Sequence, residues 1–204
     1  MKIRMMLINN VAQGKRRQEQ AMPVCVRTMG ESDRKLIADV VMEAFGPTDG
    51  PEIVQLIAEL LADPSAQPVL SLVATTGDRV VGHILFSGAR VETGEQAHSA
   101  VILAPLAVRP DFQSRGIGGR LVTEGLKWLV EAGVDLVFVL GYPDYYSRFG
   151  FAEAGVRGFD APYPIAAKNA GAWMVLALRP GILGAVKGTV RCANALDDPR
   201  YWRE

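Results

Sequence analysis

Residues 106–121 read Leu106-Ala107-Val108-Arg109-Pro110-Asp111-Phe112-Gln113-Ser114-Arg115-Gly116-Ile117-Gly118-Gly119-Arg120-Leu121. Three glycines stand where an apolar pattern of helical spacing begins. Because glycine has no Cβ, the amide groups at the start of this helix are open to a ligand, and the helix dipole adds positive potential there. The pattern therefore predicts an anion site, and phosphate is a group that such sites commonly bind.

Two common nucleotide-binding loops do not fit this stretch. A Walker loop ends in Gly-Lys-Ser/Thr, whereas the chain has Gly119-Arg120-Leu121. A dinucleotide fingerprint requires glycine or alanine where Leu121 stands, and its first glycine directly after the strand. Asp135 has the spacing of a ribose contact, but it opens the next strand instead of ending it. A glycine-rich helix start that binds nothing is the alternative.

The neighbouring residues predict an α/β unit. An apolar strand runs from Val101 to Val108, and Pro105 within it predicts a bulge because proline cannot donate to the ladder. A helix is expected over 117–130, closed by Gly133, and a buried strand over 136–140. Strand, helix and strand then form a right-handed parallel βαβ unit. The apolar helix face comprises Ile117, Leu121, Val122, Leu126, Leu129 and Val130.

The rest of the chain extends this unit into a single domain. We expect a flexible leader at 1–21, the domain at 22–192 and a C-terminal tail at 193–204. The further predicted elements are a strand at 24–29, a helix at 32–45 capped by Ser32 and ended by Gly46-Pro47, a second helix from Pro51, strands at 69–75 and 79–86, a loop at 92–99, a helical turn at 145–149, a strand from Phe151, a loop at 155–171 and a strand at 173–178.

Composition narrows the classes of partner. The 204 residues contain 22 Lys and Arg against 22 Asp and Glu, so net charge gives no argument for nucleic acid or a membrane surface as a partner. No apolar run reaches the length of a membrane span. Cys25 and Cys192 lack metal-ligand spacing, and we expect two reduced thiols in a cytoplasmic protein without a bound metal.

Two motifs resemble those of the GNAT superfamily of acetyltransferases. Gln113-x-x-Gly116-x-Gly118, after an apolar strand, is similar to the Gln/Arg-x-x-Gly-x-Gly/Ala signature of that family. The run from Tyr146 to Phe151, just past the following strand, is similar to its Tyr-x-x-x-Gly-Phe ending. The resemblance spans about 24–155. It implies a mixed, mostly antiparallel sheet with a splayed parallel strand pair and helices on both faces.

The resemblance also implies a cofactor and the residues that bind it. The cofactor would be acetyl-CoA, its pantetheine arm beside the strand and its pyrophosphate on the amides of the loop. The residues implied to bind it are Leu106, Ala107, Val108, Gln113, Ser114, Arg115, Gly116, Ile117, Gly118, Gly119, Arg120 and Tyr146. The family often has an asparagine after the next strand, where Gly141-Tyr142-Pro143-Asp144 stands here, so that contact is not expected.

For catalysis, the resemblance gives Tyr146 the role of the acid near the leaving thiolate, with Tyr145 as the substitute. Many members carry a glutamate on the splayed strand, and this strand has no carboxylate. His83 is the first candidate base, and His98, Glu95 and an ordered water are the others.

The implied activity is acetyl transfer to a primary amine of a small molecule or peptide. A non-catalytic CoA-binding sensor or assembly module, or an enzyme that uses succinyl or longer acyl groups, remains open, as does a homodimer. Acidic residues on the two N-terminal helices mildly favour a cationic amine as acceptor. These residues are Glu43, Asp49, Glu52 and Glu59.

Overall fold

In the computed structural model, residues 23–92 and 98–202 are described, and they form a sheet of nine strands. The expected leader at 1–21 lies outside these residues. The strands are β1 (Val24–Thr28), β2 (Leu70–Thr76), β3 (Arg79–Glu92), β4 (His98–Val108), β5 (Leu136–Leu140), β6 (Ala152–Glu153), β7 (Phe159–Asp160), β8 (Trp173–Ala177) and β9 (Gly188–Arg191).

The sheet is mostly antiparallel, as predicted. Its main path is β1-β2-β3-β4-β5-β8-β6, in which β4 and β5 are the parallel neighbours. Strand β9 lies off this path, antiparallel to the end of β3 and parallel to β7. The strands predicted at 69–75 and 79–86 are β2 and β3, which pair as an antiparallel hairpin, and β3 extends to Glu92.

Strands β4 and β5 separate along their length. Their parallel pairing runs from Ala100 to Ile102 on β4, and neither strand has a further described pair with the other beyond that point. Past it, β4 contains one more residue than β3 between two flanking pairs, and Pro105 lies in this predicted bulge. The flanking pairs are Ile84 with Leu106 and Phe86 with Leu103. The expected splayed pair is therefore confirmed, with a proline at the point where its ladder is lost.

Helices cover both faces of the sheet, as predicted. Helix α1 (Asp33–Ala62) packs on one face and α2 (Ile117–Glu131) on the other, and α3 (Pro143–Tyr146) is a single turn after β5. The α1 side buries Ile37, Val40, Val41, Ile53, Leu56, Ile57 and Leu60 against the sheet. The α2 side buries Ile117, Leu121, Val122 and Leu129 against it.

Helix α1 is broken at Gly46, where φ is 74° and ψ is −177°. Its second part begins with Pro47, so the predicted start at Pro51 was wrong. Pro47 suits this place because proline has no amide N–H that would be left unpaired at the first helical position. Ser32 makes no side-chain capping bond. Asp33, the first residue of the helix, instead fixes the turn before it, since its Oδ2 accepts from the Gly30 amide at 2.7 Å.

Helix α2 begins after Gly116 and closes at Gly133, as expected. The amide of Val134 donates to Leu129 O at 3.0 Å, and that of Gly133 donates to Val130 O at 3.0 Å, while Gly133 has a φ of 73°. Val130 was wrongly predicted to face the core, because it is 54% exposed. It lies one residue past Leu129 and is therefore rotated by about 100° away from the buried face.

The C-terminal residues add to the core on the α1 side. Trp202 packs edge-on against Trp173 with ring centroids 5.6 Å apart, and its Nε1 donates to Leu196 O at 2.9 Å. The turn after α1 is tied to the same segment, because Asp63 Oδ2 accepts from the Ala195 amide at 2.9 Å. Residues 193–202, which we had expected to form a tail, thus contribute buried aromatic side chains.

Within the described ranges, no helix is both long and apolar enough to cross a membrane. The same residues contain no group of three His, Cys, Asp or Glu side chains placed to bind a metal ion. Cys25 and Cys192 are free thiols.

Gly88 on β3 is expected to be intolerant of any side chain. A Cβ at this position would lie 2.2 Å from Gln67 O and 2.9 Å from Ala66 O, which are backbone atoms of the turn between α1 and β2. We predict that Gly88→Ala lowers the free energy of unfolding by about 2 kcal/mol or more. Gly155→Ala is the control, since nothing lies within 4 Å of its Cβ. Equal urea midpoints for the two variants would contradict this.

Candidate active site

A groove of about 440 Å³ lies at the start of α2 and along the end of β4, and we call it the main groove. Its floor is the strand segment from Leu106 to Val108, and one wall is the loop that leads into α2. The residues that line it are Ala44, Phe45, Leu106, Ala107, Val108, Phe112, Gln113, Ser114, Gly116, Ile117, Gly118, Gly119, Tyr145, Arg148 and Phe149. The groove thus joins three distant segments of the chain.

Backbone amides point out of the start of α2. The first intrahelical bond after the loop runs from the Arg120 amide to Gly116 O at 3.0 Å, so the amides just before Arg120 have no partner earlier in the helix. Gly116 has a φ of 80° and Ser114 a φ of 59°, both left-handed. This turn presents several N–H groups toward one place, which is the arrangement that binds phosphate.

Glycine at position 118 makes room for the Tyr145 hydroxyl in the main groove. A Cβ built there would lie 2.7 Å from Tyr145 Oη, closer than a side-chain carbon can approach. At Gly119 the corresponding distance, to a Phe149 ring atom, is 3.4 Å, which is ordinary contact. Of these two glycines, only Gly118 is required for space, and its missing Cβ makes room for the Tyr145 hydroxyl at the groove. The open amides at this helix start, beside that hydroxyl, fit a phosphate-bearing ligand.

Gln113 fixes the loop. Its Nε2 donates to Val108 O at 3.0 Å, which ties the loop to the last residue of β4. Arg109 fixes the opposite side. It is buried, its Nε donates to Val80 O at 2.9 Å, and its Nη1 forms an ion pair with Glu43 of α1. These contacts hold the loop and the first part of α1 at set positions around β4.

The main groove carries positive charge. Arg148 is the one charged side chain among the described residues that line it, and its guanidinium lies over the Tyr145 ring at 4.5 Å from the centroid. Outside the groove, Arg115 and Arg79 flank the Phe112 ring at 5.1 Å and 5.0 Å. The electrostatics therefore suit an anionic ligand.

A second, smaller cavity of about 20 Å³ lies in the space between β4 and β5, and we call it the gap cavity. It is lined by Phe45, Ile53, Leu56, Leu103, Ala104, Pro105, Leu106, Val139, Leu140 and Tyr146. Phe45 and Leu106 line both cavities, so the two adjoin.

The two tyrosines of α3 lie in different places. Tyr145 lines the main groove, and burial raises its pKa to about 12 despite the opposing charge of Arg148. Tyr146 is 1% exposed and lines the gap cavity, and burial raises the pKa of its hydroxyl well above the usual value. Their rings meet edge to face at 5.1 Å. Both hydroxyls are thus protonated near neutral pH.

The structure brings most of the sequence-predicted cofactor residues together. The predicted residues that line the main groove are Leu106, Ala107, Val108, Gln113, Ser114, Gly116, Ile117, Gly118 and Gly119. Arg115 and Arg120 do not line it, and Arg120 is exposed on α2. Sequence reasoning missed Arg148 as a groove residue, although it lies inside the recognised motif. It also missed Ala44 and Phe45, for which no local pattern gave a signal.

His83 lies apart from both cavities. It is fully buried on β3, and its Nε2 is 2.9 Å from Ser71 Oγ. Its Nδ1 has no hydrogen-bond partner among the described residues. Burial lowers the pKa of His83 to about 3, so the ring is neutral at pH 7 and a poor proton acceptor. These features argue against its predicted role as the base.

The other candidate bases are no better placed. His98 begins β4, at the end of the strand far from the loop that leads into α2, and its Nδ1 is 3.8 Å from Asp135 Oδ2. Glu95 lies outside the described residues. Neither cavity has a carboxylate among the described residues that line it.

The lowered pKa of His83 predicts how the free energy of unfolding depends on pH. The unfolded ring takes up a proton near pH 6.5, whereas the folded one stays neutral down to about pH 3. Stability is therefore full above pH 6.5 and falls as the pH drops toward 3, by about 2 kcal/mol between pH 7 and pH 5. We predict that His83→Gln loses this part of the pH dependence and that His98→Gln keeps it. Urea unfolding at both pH values measures it, and equal slopes in all three proteins would contradict it.

Comparisons with known proteins agree with this geometry. A family model described as an acetyltransferase (GNAT) domain matches residues 25–154. YjhQ of Escherichia coli strain K12, an uncharacterized N-acetyltransferase, is 41% identical over 165 residues, which are 80% of this chain and 89% of that protein.

Two solved structures are similar over most of the chain. One is the GNAT family N-acetyltransferase YhbS from Escherichia coli in complex with CoA, with a TM-score of 0.77 and 29% identity over 90% of this chain and 97% of that one. The other is a GNAT family acetyltransferase from Brucella melitensis in complex with acetyl-CoA, with a TM-score of 0.66 and 30% identity over 86% of this chain and 99% of that one. The splayed strands, the glycine loop and the family match lead to one conclusion: this chain belongs to the GNAT acetyltransferase family.

Proposed function

We propose that the protein transfers an acetyl group from acetyl-CoA to a primary amine of a small molecule or peptide. The observation that carries the proposal is the main groove, in which an amide-lined helix start adjoins the open edge of β4. The relatives solved with CoA and with acetyl-CoA support the same cofactor.

The cofactor would bind through backbone groups. The free amides at the start of α2 and the charge of Arg148 suit the pyrophosphate. Beyond Ile102, β4 has no described pair with β5, so its backbone groups on that side can pair with the amide groups of the pantetheine arm. The thioester would then lie near Leu106, where the two cavities adjoin.

Bound acetyl-CoA supplies a thioester carbonyl that the nitrogen of a neutral amine attacks. The C–N bond forms, the C–S bond breaks, and the nitrogen loses one proton. A backbone N–H of β4 near the bulge can stabilise the charge on the carbonyl oxygen without reorganising. The electron pair of the broken bond remains on the thiolate sulfur, which then needs a hydrogen-bond donor.

Tyr146 is suited to that role from the gap cavity. Its phenol has a pKa well above 10, whereas a thiol has a pKa of about 8.5. Complete transfer of the phenolic proton to the thiolate would therefore be unfavourable. We infer that Tyr146 stabilises the thiolate mainly by donating a hydrogen bond, and that the final proton on sulfur comes from solvent.

The proton released by the amine would also pass to water, since neither cavity offers a carboxylate and His83 is neutral and buried. The acceptor would approach beside the break in α1. The acidic character expected there is reduced, because Glu43 pairs with Arg109 and Glu52 lies 3.5 Å from Arg200. A cationic acceptor therefore gains little from these carboxylates.

The missing carboxylate favours one alternative, a CoA-binding module that performs no transfer. It would use the same groove and bind CoA equally well. Turnover with amines separates the two functions. A cytoplasmic protein with reduced thiols is consistent with either.

Filling the groove from Gly118 is expected to abolish cofactor binding. Because the Cβ at this position points toward Tyr145, we predict that Gly118→Trp eliminates CoA binding in calorimetry. Gly155→Trp places the same side chain where nothing lies within 4 Å, and its binding should match that of the native chain. Circular dichroism checks that both fold. Unchanged affinity in Gly118→Trp would exclude this groove as the CoA site.

Removing one hydroxyl separates chemistry from binding. We predict that Tyr146→Phe lowers kcat by about 100-fold while the Kd for CoA stays within a factor of two, since the donor acts on the developing thiolate. Release of CoA thiol with a panel of primary amines measures kcat. Full activity in Tyr146→Phe would refute the role of this residue. The absence of any turnover in the native chain, with CoA bound, would favour the non-catalytic module.

A further inference from the structure

The gap cavity is almost wholly apolar. Apart from Tyr146, its side chains are aliphatic or aromatic hydrocarbon, and no lysine, arginine or histidine is among the described residues that line it. Its two shared residues, Phe45 and Leu106, connect it to the main groove, where the cofactor is proposed to lie. A group that continues from the thioester would enter this cavity.

We propose that the gap cavity is the acyl subsite and that Phe45 is the residue that limits acyl length; this inference rests on the proposed use of the main groove by acyl-CoA. The cavity volume of about 20 Å³ limits the size of the acyl group that fits. A single water needs roughly 10–15 Å³ of such space, so the cavity holds about one methyl-sized group. An acetyl methyl fits, and each further methylene must displace a packed side chain.

The lining also excludes charged acyl groups. A succinyl or malonyl carboxylate in this cavity would be buried without a cation or a full set of donors, which is strongly unfavourable. Tyr146 offers at most one hydroxyl. The subsite therefore selects short and uncharged acyl groups.

Phe45 differs from the other lining residues in how it is held. Ile53 and Leu56 of α1 are nearly fully buried in the core, whereas Phe45 is half-buried and precedes the break at Gly46. The ion pair between Glu43 and Arg109 anchors the helix two residues before it. Phe45 is thus fixed against the junction of the two cavities, and it can be shortened without emptying the core.

The test compares CoA, acetyl-CoA, propionyl-CoA, butyryl-CoA and succinyl-CoA as ligands of the full chain in calorimetry. One extra methylene in a tight apolar pocket changes selectivity by roughly 10–200-fold. We therefore expect butyryl-CoA and succinyl-CoA to bind at least about tenfold more weakly than acetyl-CoA. In Phe45→Ala, butyryl-CoA should come within about threefold of acetyl-CoA, while succinyl-CoA stays weak.

Leu36→Ala is the matched control, since Leu36 is an exposed apolar residue on the same part of α1 and lines neither cavity. Leu36→Ala should bind the five CoA ligands in the same order of affinity as the native chain. If the native chain binds acetyl-, butyryl- and succinyl-CoA equally, the acyl subsite is refuted, whatever the variants do. If Phe45→Ala folds and keeps the native ranking, Phe45 does not limit the length. Failure of the native chain to bind CoA at all refutes the cofactor proposal instead, so the two failures are distinct.

Discussion

The site depends on the loss of pairing between β4 and β5 beyond Ile102. After Ile102, the parallel pairing of β4 with β5 ends, so the rest of β4 has no strand partner on the β5 side, although it still pairs with β3 on either side of the bulge at Pro105. In a buried sheet such groups require other partners. The same stretch forms the floor of the main groove and one side of the gap cavity. The interruption of hydrogen bonding between β4 and β5 therefore creates the space that both cavities occupy.

The rest of the site holds the two sides of that opening apart. Gln113 ties the loop that leads into α2 to the last carbonyl of β4, and Arg109 ties the end of β4 to both β3 and α1. Neither side chain needs to touch a ligand to matter. Arg109 is buried, and its ion pair with the exposed Glu43 links the helix bearing Phe45 to the strand beneath it.

Local patterns predicted most of the elements and the glycine-rich start of α2 because the relevant information is local. Glycine spacing marks an open helix start, and a proline within an apolar strand marks a bulge, whatever the rest of the chain does. The break at Gly46 was predicted, but not that Phe45 reaches the strand gap, because that contact depends on how α1 packs across a strand distant in sequence. The ion pair between Glu43 and Arg109 could not be predicted either, because the sequence does not show which distant cation a carboxylate will meet in the fold. Val130 was wrongly predicted to be buried because periodicity alone does not define how wide the buried face of a helix is.

The tandem tyrosines illustrate how one short turn can serve two cavities. Consecutive residues in a helical turn point about 100° apart, so side chains adjacent in sequence must face different surroundings. In α3 this rotation directs Tyr145 into the main groove beside Gly118 and Tyr146 into the gap between β4 and β5. Burial raises the pKa of both hydroxyls, which keeps each a donor and removes each as a base. A donor in the groove suits phosphate or pantetheine oxygen, and a donor in the gap suits the sulfur. Under the proposed function, Tyr145 would serve binding and Tyr146 the chemistry, so replacing one of them need not impair the role of the other.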